Sequence, residues 1–282
     1  MSSADWARWA LPGVVWGTSF FFIAEALDGF PAAVITPLRV GLGFATLGLV
    51  PAARRTHIAR ADLWRIGLLG AIWMAIPLSL FPFAEERVSS SVTGMLNGAT
   101  PIFVTIVAAV MARSAPHRRR ILGLAVGAVG VVLIAFPTAG EGGNSLGGIA
   151  MIFVALVFYG FALNVAVPLQ QRYGSLPVLW RTQGVALVLT TPLGLANAGD
   201  VTGGWKPSLA MVGLGVLGTA LAYVAMADNA GRLGSSRASA SVYLIPVVSL
   251  LLGALVRNEA VAVLSVLGCA VTLVGAWMAG RS

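Results

Sequence analysis

The sequence predicts an all-α integral membrane protein of ten transmembrane helices, arranged as two inverted five-helix repeats. Three observations carry that expectation. The composition is too apolar for water, ten apolar runs reach membrane-spanning length, and matching residues recur in register half a chain apart.

Of 282 residues, 58% are hydrophobic and 10% charged, with a mean hydropathy of +0.89. A soluble domain carries roughly 25% charged residues to cover its surface, so this chain must present most of its surface to lipid. The 34 glycines would weaken water-exposed helices, but between membrane helices they let backbones approach closely. The net charge of +8 does not point to nucleic acid, because the basic residues lie between apolar runs, as charges that set membrane topology do. A single cysteine, Cys269, sits within an apolar run and excludes an intrachain disulfide or a cysteine-built metal centre. No cofactor is expected. The run from Trp9 to Ala24 is preceded by Arg8 and Asp5 and followed by Glu25 and Asp28. It therefore reads as a retained first helix rather than a cleaved leader.

A helix needs about 20 apolar residues to cross the hydrocarbon layer. Ten runs qualify: 7–27, 31–52, 63–84, 88–112, 119–137, 146–168, 176–197, 206–227, 235–256 and 260–279. With a cytoplasmic N-terminus, the inside loops and ends carry Arg8, Arg54, Arg55, Arg60, Arg65, Arg113, Arg118, Arg119, Arg120, Arg172, Arg232, Arg237 and Arg281. The outside carries only Arg87, Lys206 and Arg257, while Arg39 and Arg181 fall within helices. That asymmetry predicts both termini inside. Arg87, Ser90-Ser91, Pro101, Leu122-Gly123 and Gly130 recur at a constant offset of 145 as Arg232, Ser235-Ser236, Pro246, Leu267-Gly268 and Gly275. Trp16-Gly17 and Tyr159-Gly160 match at an offset of 143. Residues 1–140 and 141–282 thus form two units of five helices. Because five is odd, the second unit enters the membrane upside down.

The Trp-Gly pair in helix 1, Arg39 in helix 2, and Pro101 and Pro246 in helices 4 and 9 resemble the drug/metabolite transporter superfamily. Within it, the chain is similar to the EamA branch and its YddG-type amino-acid exporters. The resemblance spans the whole chain. It implies a bacterial inner-membrane protein working as a monomer, with a central cavity lined by helices 1, 3, 4, 6, 8 and 9.

Substrate-binding candidates are the polar and aromatic residues within those helices: Trp16, Ser19, Trp73, Asn97, Tyr159, Asn164, Tyr223 and Tyr243. A pocket for a zwitterion needs a few hydrogen-bonding groups among aromatic walls, although such residues also join helices to one another. Charges inside a membrane are costly and are usually functional. Arg39 could meet a substrate carboxylate, but a pairing with Glu25 or Asp28 across the first helical hairpin is the favoured expectation. Arg181 is expected to reach the interface. Pro101 and Pro246 are candidate hinges, with static kinks an equal alternative. Trp6, Trp9, Trp64, Trp205 and Trp277 suit an interfacial belt. Gly213-x-Gly215-x-x-Gly218 matches a dinucleotide fingerprint but lacks the preceding strand, so it reads as helix packing.

These features predict a carrier that exports amino acids, aromatic or other neutral ones, and related small metabolites by alternating access. No Asp, Glu or His stands near mid-helix, which favours uncoupled facilitated diffusion, with Glu25 the first candidate for a titrating exception. The alternative is a proton-coupled drug or metabolite efflux carrier. A membrane enzyme is disfavoured: His57 and His117 lie in loops, away from any intramembrane serine, and the one adjacent acidic pair is Glu85-Glu86.

Overall fold

The computed structural model describes residues 3–113, 117–140, 143–233 and 240–280, and these contain helices and no strands. Ten principal helices follow in order. They are α1 (Ser3–Leu27), α2 (Ala32–Gly48), α3 (Arg60–Glu85), α4 (Ser90–Ala112), α5 (Arg118–Ala139), α6 (Gly143–Tyr173), α7 (Ser175–Ala196), α8 (205–233), α9 (Ser241–Val256) and α10 (Val263–Gly280). Within α1, α3, α4, α5, α6 and α8 lie spans long and apolar enough to cross a membrane. Helices α2, α9 and α10 are apolar but shorter, and α7 carries Arg181 and Gln183. The protein is a multi-pass membrane protein. Of the basic residues used to orient it, Arg237 and Arg281 lie outside the described residues, as do Ser235-Ser236 of the repeat.

Local signals set the helix ends. Ser89 caps α4 by accepting a hydrogen bond from the Val92 amide at 3.3 Å. Gly174 alone separates α6 from α7, and its φ of 83° is open to glycine at little cost. Helix α4 breaks at Gly98 and Ala99, and Pro101 opens its second half. Helices α3 and α8 each contain a π-helical stretch, at Gly70–Ala75 and Gly213–Leu221. Such widened turns recur at functional sites. The glycine triplet that mimics a dinucleotide fingerprint lies in the second of these. A Cβ at Gly215 would strike Leu42, so the residue is small to admit α2.

The loops sort to two ends. At one end, the Gly29 carbonyl accepts from the Gly203 amide at 2.9 Å, and Glu259 reaches Ser90 and Ser91. Arg87 and Arg257 lie there too, so this is the Arg-poor end. At the Arg-rich end, Asp62 is buried and binds Arg65 at 3.1 Å, Arg172 at 3.0 Å and the Tyr173 hydroxyl at 2.7 Å. Arg181 reaches the Arg-rich end between α2 and α3. Its guanidinium donates to the Ala53, Arg54 and Thr56 carbonyls around the short helix Pro51–Arg55. Those end-of-helix carbonyls lack intrahelical partners and attract a cation.

The packing is paired. Helix α5 lies along α10, α2 along α7, and α4 against α9. Helix α1 packs on α9 as α6 packs on α4, α2 on α8 as α7 on α3, and α3 on α6 as α8 on α1. One apolar cluster joins α1, α3, α4, α6, α9 and the start of α8 near the Arg-poor end. A second joins α2, α3, α7 and the later parts of α6 and α8. Tyr159 touches both.

Replacing Asp62 by alanine strips three hydrogen bonds at once and leaves Arg172 and Tyr173 without this acceptor. The expected cost is about 2–3 kcal/mol, read as a lower melting temperature in detergent. Transport at permissive temperature should survive, because Asp62 lies outside the central cavity.

Candidate functional site

Between the two clusters lies a cavity of about 540 Å³. Its walls run from Ile23 and Phe81 to Gln170, Ser175 and Val242 near the Arg-rich end. Trp16, Ser19, Arg39, Trp73, Asn97, Pro101, Tyr159, Tyr223 and Tyr243 all line it. Asn164 does not: its amide donates to the Gly160 carbonyl at 2.8 Å and the Val104 carbonyl at 3.3 Å, tying α6 to α4. Pro246 also lies off the wall, packed against Gly98 at the break in α4.

The aromatic wall is built edge to face. Trp16 meets Tyr223 with centroids 5.1 Å apart, and Trp73 meets the same tyrosine at 5.7 Å. Phe81 stands between Phe20 and Tyr159. Edge-to-face contacts suit the ring quadrupoles and hold each ring in place. Trp16 is fixed further, since its Nε1–H donates to the Gly218 carbonyl at 3.0 Å. The hydroxyls of Tyr159, Tyr223 and Tyr243 have no protein partner among the described residues and remain available to a ligand.

Arg39 is the one basic residue among those lining the cavity, and it is 5% exposed. Its Nε–H donates to Thr219 Oγ1 at 2.7 Å, and Thr219 Oγ1 donates to the Leu214 carbonyl at 2.8 Å, five residues back in the π-helical stretch. Gln183 Nε2 holds the Thr219 carbonyl at 2.7 Å. The widened turn thus turns Thr219 toward α2 and orients the guanidinium. Arg39 has no acidic partner within salt-bridge distance among the described residues.

The expected pairing of Arg39 with Glu25 or Asp28 is therefore corrected. Both carboxylates bind Arg257 of the α9–α10 loop, Asp28 at 3.3 Å. Depth is the reason: Arg39 lies eight residues past Pro31, roughly 12 Å along α2, whereas Glu25 and Asp28 stay at the helix end. Burial works against the charge on Arg257. Its hydrogen bonds to Asp28 and Glu25, and their charges, outweigh that and keep its pKa above the ordinary value.

A second cavity, of about 480 Å³, opens at the Arg-poor end among Asp28, Glu85, Glu86, Asp200, Arg257 and Glu259. The sequence offered Asp28 as a partner for Arg39, Glu85-Glu86 as the one adjacent acidic pair and Arg257 as an orienting charge, and gave no sign that Asp200 and Glu259 join them. Thr219 and Gln183 were also passed over, although polar residues within apolar runs were the available signal.

The bundle and its aromatic, single-cation cavity define a membrane transporter of small molecules. The chain belongs to the EamA-like transporter family, whose sequence pattern matches residues 7–136 and again residues 146–281. It is 28% identical to a protein of Streptantibioticus cattleyicolor named "Probable terminal-alkyne amino-acid exporter", covering 100% of this chain and 94% of that one. It is also 28% identical to "Uncharacterized transporter YdfC" of Bacillus subtilis, over 93% of this chain and 86% of the other. An "Uncharacterized transporter" of Archaeoglobus fulgidus is 24% identical, over 98% of each. One solved crystal structure shares the fold, with a TM-score of 0.65 and 18% identity over 99% of this chain and 97% of that one. The relatives' names point away from an enzyme.

Proposed function

We propose that this protein exports amino acids and related small metabolites across a bacterial inner membrane by facilitated diffusion with alternating access. The observation that carries the substrate class is Arg39: a buried cation with no acidic partner among the described residues, fixed by Thr219, in a cavity otherwise lined by aromatic, aliphatic and neutral polar side chains. A buried charge in a membrane is costly unless something completes it, and a carboxylate suits the guanidinium fork. The aromatic faces of Trp16, Trp73 and Tyr223 would favour the ammonium group, and the tyrosine hydroxyls and Asn97 supply neutral hydrogen bonds.

In this reading all ten helices cross the membrane, with both termini cytoplasmic, and residues 1–140 and 141–282 form the inverted repeats. Three findings support the repeat. The paired packing keeps its pattern when each helix is exchanged for the one five places on. The π-helical stretches fall in α3 and α8, which such an exchange relates. The family pattern matches the chain twice. In this reading the Arg-rich end faces the cytoplasm. At the outer end Arg257 ties the α9–α10 loop to α1 and Glu259 ties it to α4, contacts that would close the outer mouth over the central cavity. Pro101, just past the break in α4, and Pro246, packed against Gly98 at that break, are the hinges about which the mouth would open.

Purified protein in sealed liposomes, with no ion gradient, should take up labelled neutral amino acids saturably and faster than empty liposomes. Uptake of none of them would overturn the substrate class. Accumulation above equilibrium under an imposed pH gradient would overturn facilitated diffusion.

A further inference from the structure

Glu85 ends α3 and lines the cavity at the Arg-poor end. Both of its carboxylate oxygens are buried, and neither has a hydrogen-bond partner among the described residues. The charged groups that act on it are Glu259, Arg257 and Arg39, and all three are engaged elsewhere. Glu259 accepts from the Ser90 and Ser91 amides at 3.1 and 2.9 Å and from both serine hydroxyls, at the start of α4. Arg257 holds Glu25 and Asp28, and Arg39 donates to Thr219. The remaining titratable groups around the cavity, Asp28, Glu86 and Asp200, are all acidic.

An ionised Glu85 would give up its hydration, gain no donor and face a second carboxylate. Such a charge is strongly disfavoured. When two carboxylates share one setting, one of them keeps a proton. Glu259 has the helix N-terminus and four donors, which favour its charged form. The proton therefore belongs on Glu85.

We propose that Glu85 is a proton-binding site that locks the outer mouth. Closing the α9–α10 loop onto α1 and α4 takes one proton from the outer solution onto Glu85. Opening the mouth to water returns that proton to the same solution. The closed form binds one proton more than the open form, so acid outside favours closure. The bias reaches at most about tenfold per pH unit, over the range where the open form is ionised and the closed form is not. The site lets an uncoupled carrier sense the pH outside, and its place in the transport cycle rests on the carrier reading. The closure itself is measured without substrate, so failure of amino-acid uptake and failure of this site are separate results.

Ile23, 1% exposed at the outer end of the central cavity, is replaced by cysteine and treated from outside with a membrane-impermeant thiol reagent. Val263→Cys, at a position 75% exposed, is the reference for the reagent's own pH dependence. As the outer solution is acidified from alkaline toward mildly acidic pH, the rate at Ile23→Cys relative to the reference should fall by up to about tenfold per unit. Adding Glu85→Gln, which stays neutral, should keep the relative rate low throughout that range. A flat ratio with Glu85 present, or a pH dependence that persists in Glu85→Gln, overturns the proposal. So does protection by sodium, calcium or magnesium at fixed alkaline pH. Should Glu85→Gln fail to fold, infrared spectroscopy of the unsubstituted protein decides. A protonated-carboxyl band at neutral pH that disappears in alkali is expected, and its absence refutes the site.

Discussion

Gly130→Val should unfold this protein at a markedly lower temperature than the parent. Helices α5 and α10 meet through Gly123, Gly127 and Gly130 on one side and Gly268, Thr272, Gly275 and Ala279 on the other. A Cβ at Gly130 would overlap the Thr272 amide nitrogen and lie 2.6 Å from the Gly268 carbonyl oxygen. Both are backbone atoms, so no rotamer change relieves the clash and the helices must separate. In lipid, close backbone approach is the main attraction between helices, since lipid tails are as apolar as leucine. The expected loss is about 3 kcal/mol, read as thermal unfolding of the detergent-solubilised protein. Gly275→Val, at the matching place in the second half, should do the same, because its Cβ would lie 2.5 Å from Gly127 Cα. Gly67→Ala is the control: a Cβ there meets nothing within 4 Å, so a small gain in helix propensity is expected instead. A Gly130→Val protein that melts with the parent would show that the α5–α10 seam is not closely packed.

The small residues of that seam were legible in the sequence as a repeat at a fixed offset, though not that α5 and α10 pair through them, and the apolar runs marked the helices because lipid demands long stretches without charge. What the sequence hid was contact between distant residues. Glu25 and Asp28 are neighbours of Arg39 along the chain, yet their partner is Arg257, 232 residues from Glu25. Glu85 looks like an ordinary charge at a helix end, and only the fold buries its oxygens on a cavity shared with Glu259. The π-helical stretches leave no periodic signature in so apolar a sequence, so the role of Thr219 in orienting Arg39 could not be read either. Asn164 and Tyr159 look alike as polar residues five apart on one helix. One spends its amide on carbonyls of α6 and α4, while the other lines the cavity. Periodicity separates faces of a helix, but it does not say which polar groups are satisfied by the protein and which are left for a ligand.

Arg39→Ala should abolish recognition of the substrate carboxylate while leaving the bundle assembled. Among the described residues the guanidinium makes one hydrogen bond, to Thr219 Oγ1, and that hydroxyl keeps its own bond to the Leu214 carbonyl when Arg39 is gone. Losing a charge-assisted contact in a dry site costs about 2–4 kcal/mol. At 1.4 kcal/mol per factor of ten, that is a loss of roughly 30- to 1,000-fold in affinity. Arg39→Lys keeps the charge but not the planar fork, so it should fall between the two. Liposome uptake of a neutral amino acid and of its uncharged carboxamide separates the roles. The parent should prefer the acid strongly, and Arg39→Ala should take both about equally. If Arg39→Ala still prefers the acid and only its melting temperature falls, Arg39 is a structural tie between α2 and α8. The carboxylate would then have to be met by the tyrosine hydroxyls and Asn97, which are neutral and could not distinguish it so sharply from an amide.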